Sequence, residues 1–384
     1  MQKDKIKVMS VFGTRPEATK MGPLVKVLEK DDAFSSIVCV TAQHRGMLDE
    51  VLEIFDIKPD YDLDIMKEGQ SLEYITTSAL NGLCKVIDEA KPDLLLVHGD
   101  TTTSFAGSLA AFYRGVKLGH VEAGLRSYDK LRPYPEEMNR KLTGVLADIH
   151  FAPTHKAKEN LYKENINPND IFVTGNTAVD CVKDSFKDNF IFKRDILNDI
   201  DYKGKKIITV TAHRRENLGE PLENICKALR IIADENDDVL VIYPVHPNPA
   251  VKNTVYSILS EIKGIYLTEA LDFVDLHNLM ARSYLILTDS GGLQEEAPAF
   301  NKPVLVLREV TERPEGLDAG TLKLAGTDKD IIVKMTNELL KNPSEYNRMA
   351  MAKNPFGDGF ASKRIAEIIK YCFKIIDKRP DDFK

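Results

Sequence analysis

Residues 284–297 read YLILTDSGGLQEEA. The apolar run Tyr284–Thr288 predicts a buried strand, Ser290, Gly291 and Gly292 a tight turn, and the residues after them the first turn of a helix. A helix start presents unpaired backbone N–H groups, and glycines let an anion approach them closely. The turn therefore predicts a phosphate site, with Glu296 one helical turn later as a carboxylate that can bind a ribose diol. An ordinary strand-to-helix connection is the alternative.

A second glycine turn follows the first apolar run of the chain. Residues 13–17 read GTRPE, in which the threonine is a helix cap and the proline fits the opening helical turn. Arg15 and Lys20 flank this second helix start, and two cations at one glycine turn favour an anion site. In the alternative interpretation, Arg15 is simply paired with Glu17.

Short β-rich apolar runs alternate with longer amphipathic stretches, which is typical of α/β proteins with parallel sheets and helical crossovers. The predicted strands are Ile6–Phe12, Ser36–Thr41, Leu94–Val97, Val116–Val121, Ile149–Ala152, Ile171–Thr174, Lys206–Ala212, Val239–Val245, Ile265–Thr268, Tyr284–Thr288 and Val304–Leu307. The clearest helical periodicity lies at Pro23–Lys30, Leu72–Ala90, Glu136–Ala147, Leu222–Asp234, Ile331–Leu340 and Ala361–Lys378.

The alternation restarts after about residue 175, and the polar stretch Asp188–Lys205 precedes a fresh strand. A chain of 384 residues is too long for one typical core. We therefore predict two Rossmann-like domains, at 1–175 and 176–360, with parallel sheets that face an interdomain cleft. We expect the segment 361–384 to pack back on the first domain.

Composition argues against several classes of function. The net charge of −7, without a basic stripe, disfavours binding to nucleic acid or to a membrane surface. Five scattered cysteines, without a C-x-x-C pair or an H-E-x-x-H motif, disfavour disulfide scaffolding and a metal site. The chain also lacks the dinucleotide and Walker A glycine patterns, so no cofactor is expected. Without a secretory leader or a membrane-spanning apolar run, a cytoplasmic protein is expected.

Charged residues concentrate where predicted strands end. Asp100, Glu122 and Glu136 stand at the ends of successive elements, which makes them candidates for acid/base chemistry. Each alone is more often a cap or an ion-pair partner, and Glu122 has Arg126 close by in sequence. His213, after the first strand of the second half, can hold a phosphate or move a proton, or belong to a solvated basic loop.

Taken together, these segments resemble the non-hydrolysing UDP-N-acetylglucosamine 2-epimerases. The matching motifs occur in order along almost the whole chain: FGTRPE (12–17), HGDTT (98–102), HVEAGLR (120–126), PEEMNR (135–140), HRREN (213–217), TDSGG (288–292), QEEAP (294–298) and TERPE (311–315). The resemblance implies a fold like that of the GT-B glycosyltransferases and a homodimer. It also implies epimerisation of UDP-N-acetylglucosamine at C2 by elimination and readdition of UDP, through a 2-acetamidoglucal.

The resemblance assigns roles to named positions. It implies diphosphate contacts from Ser290, Gly291, Gly292, Arg15, His213 and Arg313. It implies a ribose contact from Glu296 and a loop near uracil at Leu271–Leu276. The positions used in or near catalysis are Lys20, Asp100, Glu122, Glu136 and His213.

Bacterial relatives bind a second UDP-N-acetylglucosamine beside the active site as an activator. The matching residues are Gln43, Gln70, Glu136, Arg214 and His246. The chain departs at Gly46, where relatives often carry Gln, and at Gly69, where they often carry Arg. Two polar contacts to the activator would therefore be missing.

The sequence leaves three other functions open. A GT-B glycosyltransferase would need an acceptor, a hydrolysing epimerase would release free N-acetylmannosamine and UDP, and a UDP-sugar sensor would be catalytically silent. The intact set of carboxylates favours an enzyme over the sensor.

Overall fold

The computed structural model describes residues 5–384, which divide into two compact units. The first unit contains the chain up to Cys181 together with Phe356–Lys384, and the second is Val182–Pro355. In sequence, the second unit is thus inserted between two parts of the first.

The first unit is built on a seven-stranded parallel sheet with the strand order β3-β2-β1-β4-β5-β6-β7. Its strands are β1 (Ile6–Phe12), β2 (Phe34–Val40), β3 (Tyr61–Asp62), β4 (Leu94–His98), β5 (Lys117–Val121), β6 (Ile149–Ala152) and β7 (Ile171–Val173). Its helices are α1 (Arg15–Lys30), α2 (Arg45–Ile54), α3 (Leu72–Ala90), α4 (Thr102–Arg114), α5 (Glu136–Leu146), α6 (His155–Lys163) and, across the boundary between the units, α7 (Thr177–Ser185). The six strands predicted for this half are present, each with ends within two residues of the prediction.

The second unit has a six-stranded parallel sheet with the order β10-β9-β8-β11-β12-β13. Its strands are β8 (Lys206–Thr211), β9 (Val239–Val245), β10 (Ile265–Glu269), β11 (Leu285–Thr288), β12 (Val304–Val306) and β13 (Leu322–Leu324). Its helices are α8 (Asp195–Asn198), α9 (Glu220–Glu235), α10 (Pro249–Leu259), α11 (Phe273–Arg282), α12 (Gly291–Glu296), α13 (Pro314–Ala319), α14 (Lys329–Lys341) and α15 (Pro343–Ala350). The predicted α/β fold with two parallel sheets is confirmed.

Strand register places the polar strand ends at one edge of each sheet. In the first unit His98, the last residue of β4, lies opposite Val121, the last residue of β5. In the second unit Thr288 of β11 lies opposite Thr211 of β8. The residues that follow these strands therefore emerge side by side, at the carboxyl edge where α/β sheets bind ligands.

The carboxy-terminal part of the first unit is α16 (Ala361–Cys372) followed by an extended tail. The carboxylate of Asp180 accepts the N–H groups of Ala361 and Ser362 at 3.0 and 2.7 Å and so caps the start of α16. The predicted extension of this helix to Lys378 is wrong, because the helix ends at Cys372 and Lys374 adopts a left-handed conformation with φ 58°.

The tail covers the outer edge of β7. The backbone N–H of Phe383 donates to the carbonyl of Val173 at 2.8 Å, and Oδ1 of Asp382 accepts the N–H of Val173 at 2.9 Å. These contacts satisfy hydrogen-bonding groups that an edge strand would otherwise expose.

Candidate active site

The first glycine turn is organised around a buried carboxylate. Oε2 of Glu17 accepts the backbone N–H groups of Gly13 and Thr14 at 3.0 and 2.9 Å, and Oε1 accepts the hydroxyls of Thr101 and Ser104 at 2.7 and 3.0 Å. Burial raises the pKa of Glu17, although these hydrogen bonds oppose the shift. Glu17 therefore holds the end of β1 against the start of α4.

Arg15 is left exposed at the start of α1. Within residues 5–384 it makes no ion pair with an acidic side chain, so the alternative Arg15–Glu17 pair does not form. A side chain at Gly13 would lie 2.0 Å from Oγ1 of Thr41, which explains why glycine is required beside it. The turn therefore places the long, exposed cationic side chain of Arg15 at the start of α1, which is the kind of group that an anion site requires.

A second carboxylate, Glu122, lies directly after β5 and adopts a left-handed backbone conformation with φ 61°. Its Oε2 forms an ion pair with Lys20, accepts a hydrogen bond from Nδ2 of Asn176 at 2.8 Å, and lies 3.7 Å from Nε2 of His98. Burial lowers the pKa of His98 to about 4, so His98 is neutral at pH 7. Lys20 is therefore the cation that faces the Glu122 carboxylate.

Asp100 lies at the neighbouring strand end, after β4. Its Oδ2 accepts hydrogen bonds from Nε and Nη2 of Arg140 at 2.9 and 2.7 Å, and its carbonyl accepts one from Asn139 at 2.9 Å. These contacts attach α5 to the end of β4. The structure thus brings Lys20, Asp100 and Glu122 together around His98, whose pKa responds to all three charges.

Glu136 is the first residue of α5, the helix that Arg140 and Asn139 attach to Asp100. Its Oε2 is buried and has no hydrogen-bond partner among the described residues. The alternative pair of Glu122 with Arg126 does not form; Arg126 instead donates to both oxygens of Glu164 at 2.8 and 2.6 Å. The side chain of Glu122 is accordingly bound to Lys20 instead.

In the second unit the fully buried Asp289 joins the loop after β8 to the glycine turn after β11. Its Oδ2 accepts the backbone N–H groups of His213 and Arg214 at 2.8 and 2.7 Å and the side-chain amide of Asn217 at 2.9 Å. The hydroxyls of Thr211 and Thr288 lie 2.6 Å apart beneath it. The two loops are therefore fixed to each other.

Two guanidinium groups flank the start of α12. A Cβ atom at Gly291 would lie 3.6 Å from Nη2 of Arg214 and 3.9 Å from Nη2 of Arg313, and Arg313 is held by the buried Glu295. Glu312 lies at a similar distance, 4.0 Å, and offsets part of this positive charge. Cations beside unpaired backbone N–H groups are the arrangement that binds a diphosphate.

His213 lies beside this turn with its ring stacked on His246, the centroids 5.0 Å apart and the planes 7° apart. Its Nδ1 is 3.5 Å from Oδ1 of Asp289. Burial lowers the pKa of His213, with the nearby His246 and Arg214 adding to the effect and Asp289 opposing it. A neutral ring at pH 7 can gain a proton as negative charge develops nearby.

Glu296 ends α12, and its Oε2 lies 3.2 Å from Nε2 of His277 on α11. The loop predicted at Leu271–Leu276 is wrong beyond Asp272, because Asp272 caps α11 and Phe273–Leu276 forms its first turn. Leu271 packs against the cluster that contains Phe192, whereas Leu276 packs against the cluster that contains Met280.

Comparison with known proteins identifies the family. Residues 26–370 match the model of the family described as UDP-N-acetylglucosamine 2-epimerase. The chain belongs to this family.

Individual epimerases of this family align over nearly their whole length. The UDP-N-acetylglucosamine 2-epimerase of Bacillus subtilis is 54% identical over 379 residues, which cover 99% of each chain. The structure of S. aureus MnaA with UDP is 53% identical, with a TM-score of 0.89 and coverage of 99% and 100%. The UDP-GlcNAc 2-epimerase of Neisseria meningitidis, bound to UDP-GlcNAc, is 47% identical, with a TM-score of 0.84 and coverage of 95% and 99%.

The residues that the resemblance predicts for an activator site divide between the two units. In the first, Nε2 of Gln70 donates to the carbonyl of Gln43 at 2.9 Å, and Oε1 of Gln43 accepts a hydrogen bond from Thr103 at 3.1 Å. Glu136 belongs to the same unit, and Arg214 and His246 belong to the second. A Cβ at Gly46 or Gly69 meets no described atom within 4 Å. The space directly beside both glycines is therefore open.

Across residues 5–384, no group of three or more His, Cys, Asp or Glu side chains is arranged to hold a metal ion. No helix in that range has the length and apolar character needed to cross a membrane.

Several residues of the site were not predicted from sequence. Asp289 carries a signal, since an acidic residue that directly follows a buried strand and precedes a glycine turn is placed to bind the adjoining loop. Asn176 and His277 carry none, because their contacts with Glu122 and Glu296 join positions 54 and 19 residues apart.

Buried histidines make the first unit sensitive to acid. Burial lowers the pKa of His120 to about 3 and those of His98 and His150 to about 4, from 6.5. Below pH 6.5 the unfolded chain takes up protons that the folded chain excludes, so the free energy of unfolding falls from about pH 6.5 toward pH 4.

His120→Gln is expected to reduce this loss between pH 7 and pH 5 by roughly 2 kcal/mol, because a group that titrates is removed. Glutamine keeps an N–H for the carbonyl of Gly99, which Nε2 of His120 meets at 2.7 Å. Urea unfolding at the two pH values measures the effect. Equal pH dependence in variant and wild type would contradict it.

Proposed function

We propose that this chain catalyses the reversible epimerisation of UDP-N-acetylglucosamine to UDP-N-acetylmannosamine. The observation that carries the proposal is the buried carboxylate of Glu122, held by Lys20 and Asn176 at the carboxyl edge of the first sheet. Its membership of the epimerase family and the UDP and UDP-GlcNAc bound to the S. aureus and Neisseria meningitidis proteins support it.

The chemistry explains why a phosphate site and a set of carboxylates occur in one enzyme. The hydrogen on C2 of the sugar is not adjacent to a carbonyl, so its direct removal would leave an unstabilised carbanion. Departure of UDP from C1 creates an oxocarbenium-like centre that acidifies this hydrogen. A carboxylate then removes the proton, which leaves UDP and 2-acetamidoglucal. Protonation of C2 on the opposite face and return of UDP to C1 give the manno epimer.

The second unit supplies the groups proposed for UDP. Gly291 and Gly292 offer backbone N–H groups to the diphosphate and Ser290 its hydroxyl, since the N–H of Ser290 donates to Oγ1 of Thr288 at 2.9 Å. Arg313 and Arg15 are the cations proposed to contact the diphosphate, together with His213. Each such donor lowers the barrier by roughly 2–4 kcal/mol when charge develops on the leaving group. Glu296 binds the ribose, and the segment from Leu271 to Leu276, which includes the first turn of α11, lies near uracil.

The first unit supplies the groups proposed for proton transfer. Glu122 and Asp100 contact Lys20 and Arg140, respectively, and Glu136 has a buried oxygen without a partner among the described residues. Acid and base on opposite faces of C2 require at least two such carboxyl groups. No metal or organic cofactor takes part in this route.

Incubation with UDP-N-acetylglucosamine alone in D2O tests the proposal. We expect UDP-N-acetylmannosamine that carries deuterium at C2, detected by NMR and mass spectrometry. A glycosyltransferase would give neither product nor label without an acceptor, and a hydrolysing epimerase would accumulate free N-acetylmannosamine and UDP. Absence of both label and epimer would refute the proposed activity.

We also propose that the enzyme works in the cytoplasm, because its proposed substrate is a nucleotide sugar.

We also propose that the enzyme is a homodimer. Apolar side chains project from two adjacent helices of the first unit, α4 and α5. They include Phe112, Tyr113, Leu142 and Val145, which are 63%, 58%, 41% and 79% exposed. Large exposed apolar side chains on neighbouring helices are characteristic of a protein–protein interface, and a second copy of the chain is the proposed partner.

Val145→Asp is expected to shift the dimer toward monomer, because the substitution buries a carboxylate in the interface. Sedimentation equilibrium of wild type and variant measures the change. Ile191→Asp in the second unit is the matched control, since Ile191 is also 79% exposed. A monomeric wild type, or an equal effect of both substitutions, would contradict the proposed interface.

A further inference from the structure

His277 is held rigidly behind Glu296. Its ring is 1% exposed, with Nε2 3.2 Å from Oε2 of Glu296 and Nδ1 2.6 Å from Oγ of Ser185. The ring of Phe273, one turn earlier on α11, packs against it edge-on with centroids 5.7 Å apart and planes at 71°. The imidazole thus has a polar partner at each nitrogen and an aromatic ring at its side.

The partners fix the proton on one ring nitrogen. An ionised carboxylate can only accept a hydrogen bond, so Nε2 must carry the hydrogen that Glu296 accepts. Nδ1 lies 2.6 Å from the hydroxyl of Ser185, which also has the carbonyl of Val182 as an acceptor at 3.1 Å.

This hydrogen bond occupies only one side of the carboxylate. Oε1, the other oxygen, would lie 3.4 Å from a Cβ atom at Gly292, so it is directed along the glycine turn. The Glu296 side chain is 16% exposed, and a carboxylate has about four acceptor positions. Acceptor positions therefore remain for the two hydroxyls of a ribose.

We propose that His277 is a positioning residue for the nucleotide, which orients Glu296 so that its carboxylate accepts hydrogen bonds from the ribose hydroxyls of UDP. The inference rests on the proposed function, in which Glu296 binds the ribose. Without the Nε2–H donor, the carboxylate can rotate and loses the orientation that both ribose hydroxyls require. The effect is specific to nucleotides that carry those hydroxyls.

The test compares the binding of UDP and of 2′,3′-dideoxy-UDP to the full chain by calorimetry. His277→Phe keeps a planar ring and removes the donor, and we expect roughly tenfold weaker binding of UDP. Binding of the dideoxy nucleotide should be unchanged. His277→Gln, which restores an N–H donor, should recover most of the affinity for UDP. Addition of His277→Phe to Glu296→Ala should weaken UDP binding no further, because both changes remove one interaction.

Three results would overturn the inference. His277→Phe could bind UDP as wild type does, or weaken both nucleotides equally, which would indicate packing alone. If Glu296→Ala leaves UDP binding unchanged, the assignment of the ribose to Glu296 fails, and this is distinguished from failure at His277 alone. Should His277→Phe fail to fold, Ser185→Ala serves instead. The Ser185→Ala substitution removes the hydrogen-bond partner of Nδ1, so it should weaken the binding of UDP but not that of the dideoxy nucleotide. Equal binding of UDP by this variant and by wild type would also refute the inference.

Discussion

Glu122→Gln is expected to lower kcat by roughly 10²–10⁴-fold, the range that a positioned acid or base contributes to a reaction. Glutamine retains the size and one acceptor oxygen for Lys20 and Asn176, but it cannot remove a proton from C2. Because Glu122 belongs to the proton-transfer groups, the Kd for UDP should remain close to that of wild type. Initial rates of epimer formation and calorimetry with UDP measure the two quantities.

Glu164→Gln is the matched control for this substitution. Glu164 also binds a cation, Arg126, whose side chain is fully buried, yet it has no proposed role in the reaction. Its variant should keep wild-type kcat once folding has been verified. Wild-type turnover by Glu122→Gln, or an equal loss in Glu164→Gln, would remove Glu122 from the mechanism.

By contrast, Arg15→Ala should weaken both turnover and UDP binding, and the same two measurements test it.

Asp289→Ala is expected to lower the free energy of unfolding by roughly 3 kcal/mol or more, because three buried donors lose their acceptor. Those donors are the N–H groups of His213 and Arg214 and the amide of Asn217. The loop after β8 is then no longer fixed to the glycine turn, so UDP binding should also weaken. Urea unfolding and calorimetry with UDP measure the two losses.

Asp289→Asn separates the loss of an acceptor from the loss of charge. The asparagine oxygen can occupy the position of Oδ2 and accept from the same donors, so its variant should be destabilised less than Asp289→Ala. If both variants have the stability of wild type, the hydrogen bonds at Asp289 do not hold the two loops together. Unchanged UDP binding in the alanine variant would show that the loops keep their positions by other contacts.

The central strands were predictable because they are buried on both faces and read as continuous apolar runs. Val8 and Leu95, on β1 and β4, are fully buried, as are Ile208 and Leu287 on β8 and β11. The strands β3 and β13 were missed because neither is a continuous apolar run: β3 has two residues, one of them Asp62, and β13 has Lys323 between two leucines. Helix α1 begins at Arg15 with Thr14 as its N-cap, as the first glycine turn predicted, although its clear periodicity starts only at Pro23.

At the site, the residues that directly follow strands were predictable from the sequence. Their partners from distant parts of the chain were not. Glu122 and Asp100 were found because parallel strands end at one edge of a sheet. The partner of Arg126 was missed, since Glu164 is 38 residues away and approaches only once β6 and α6 have packed. Local spacing favoured Glu122 as that partner, and tertiary packing selected Lys20 for it instead.

The interrupted sequence of the first unit has a consequence for biosynthesis. A ribosome completes residues 182–355 before it has made α16 and the tail that shields β7. The usual order, in which the amino-terminal module matures first, is therefore reversed here. For fragment expression, residues 182–355 can be cloned as one uninterrupted piece. A fragment that ends at Cys181 would instead leave β7 as an unprotected edge strand and would tend to aggregate.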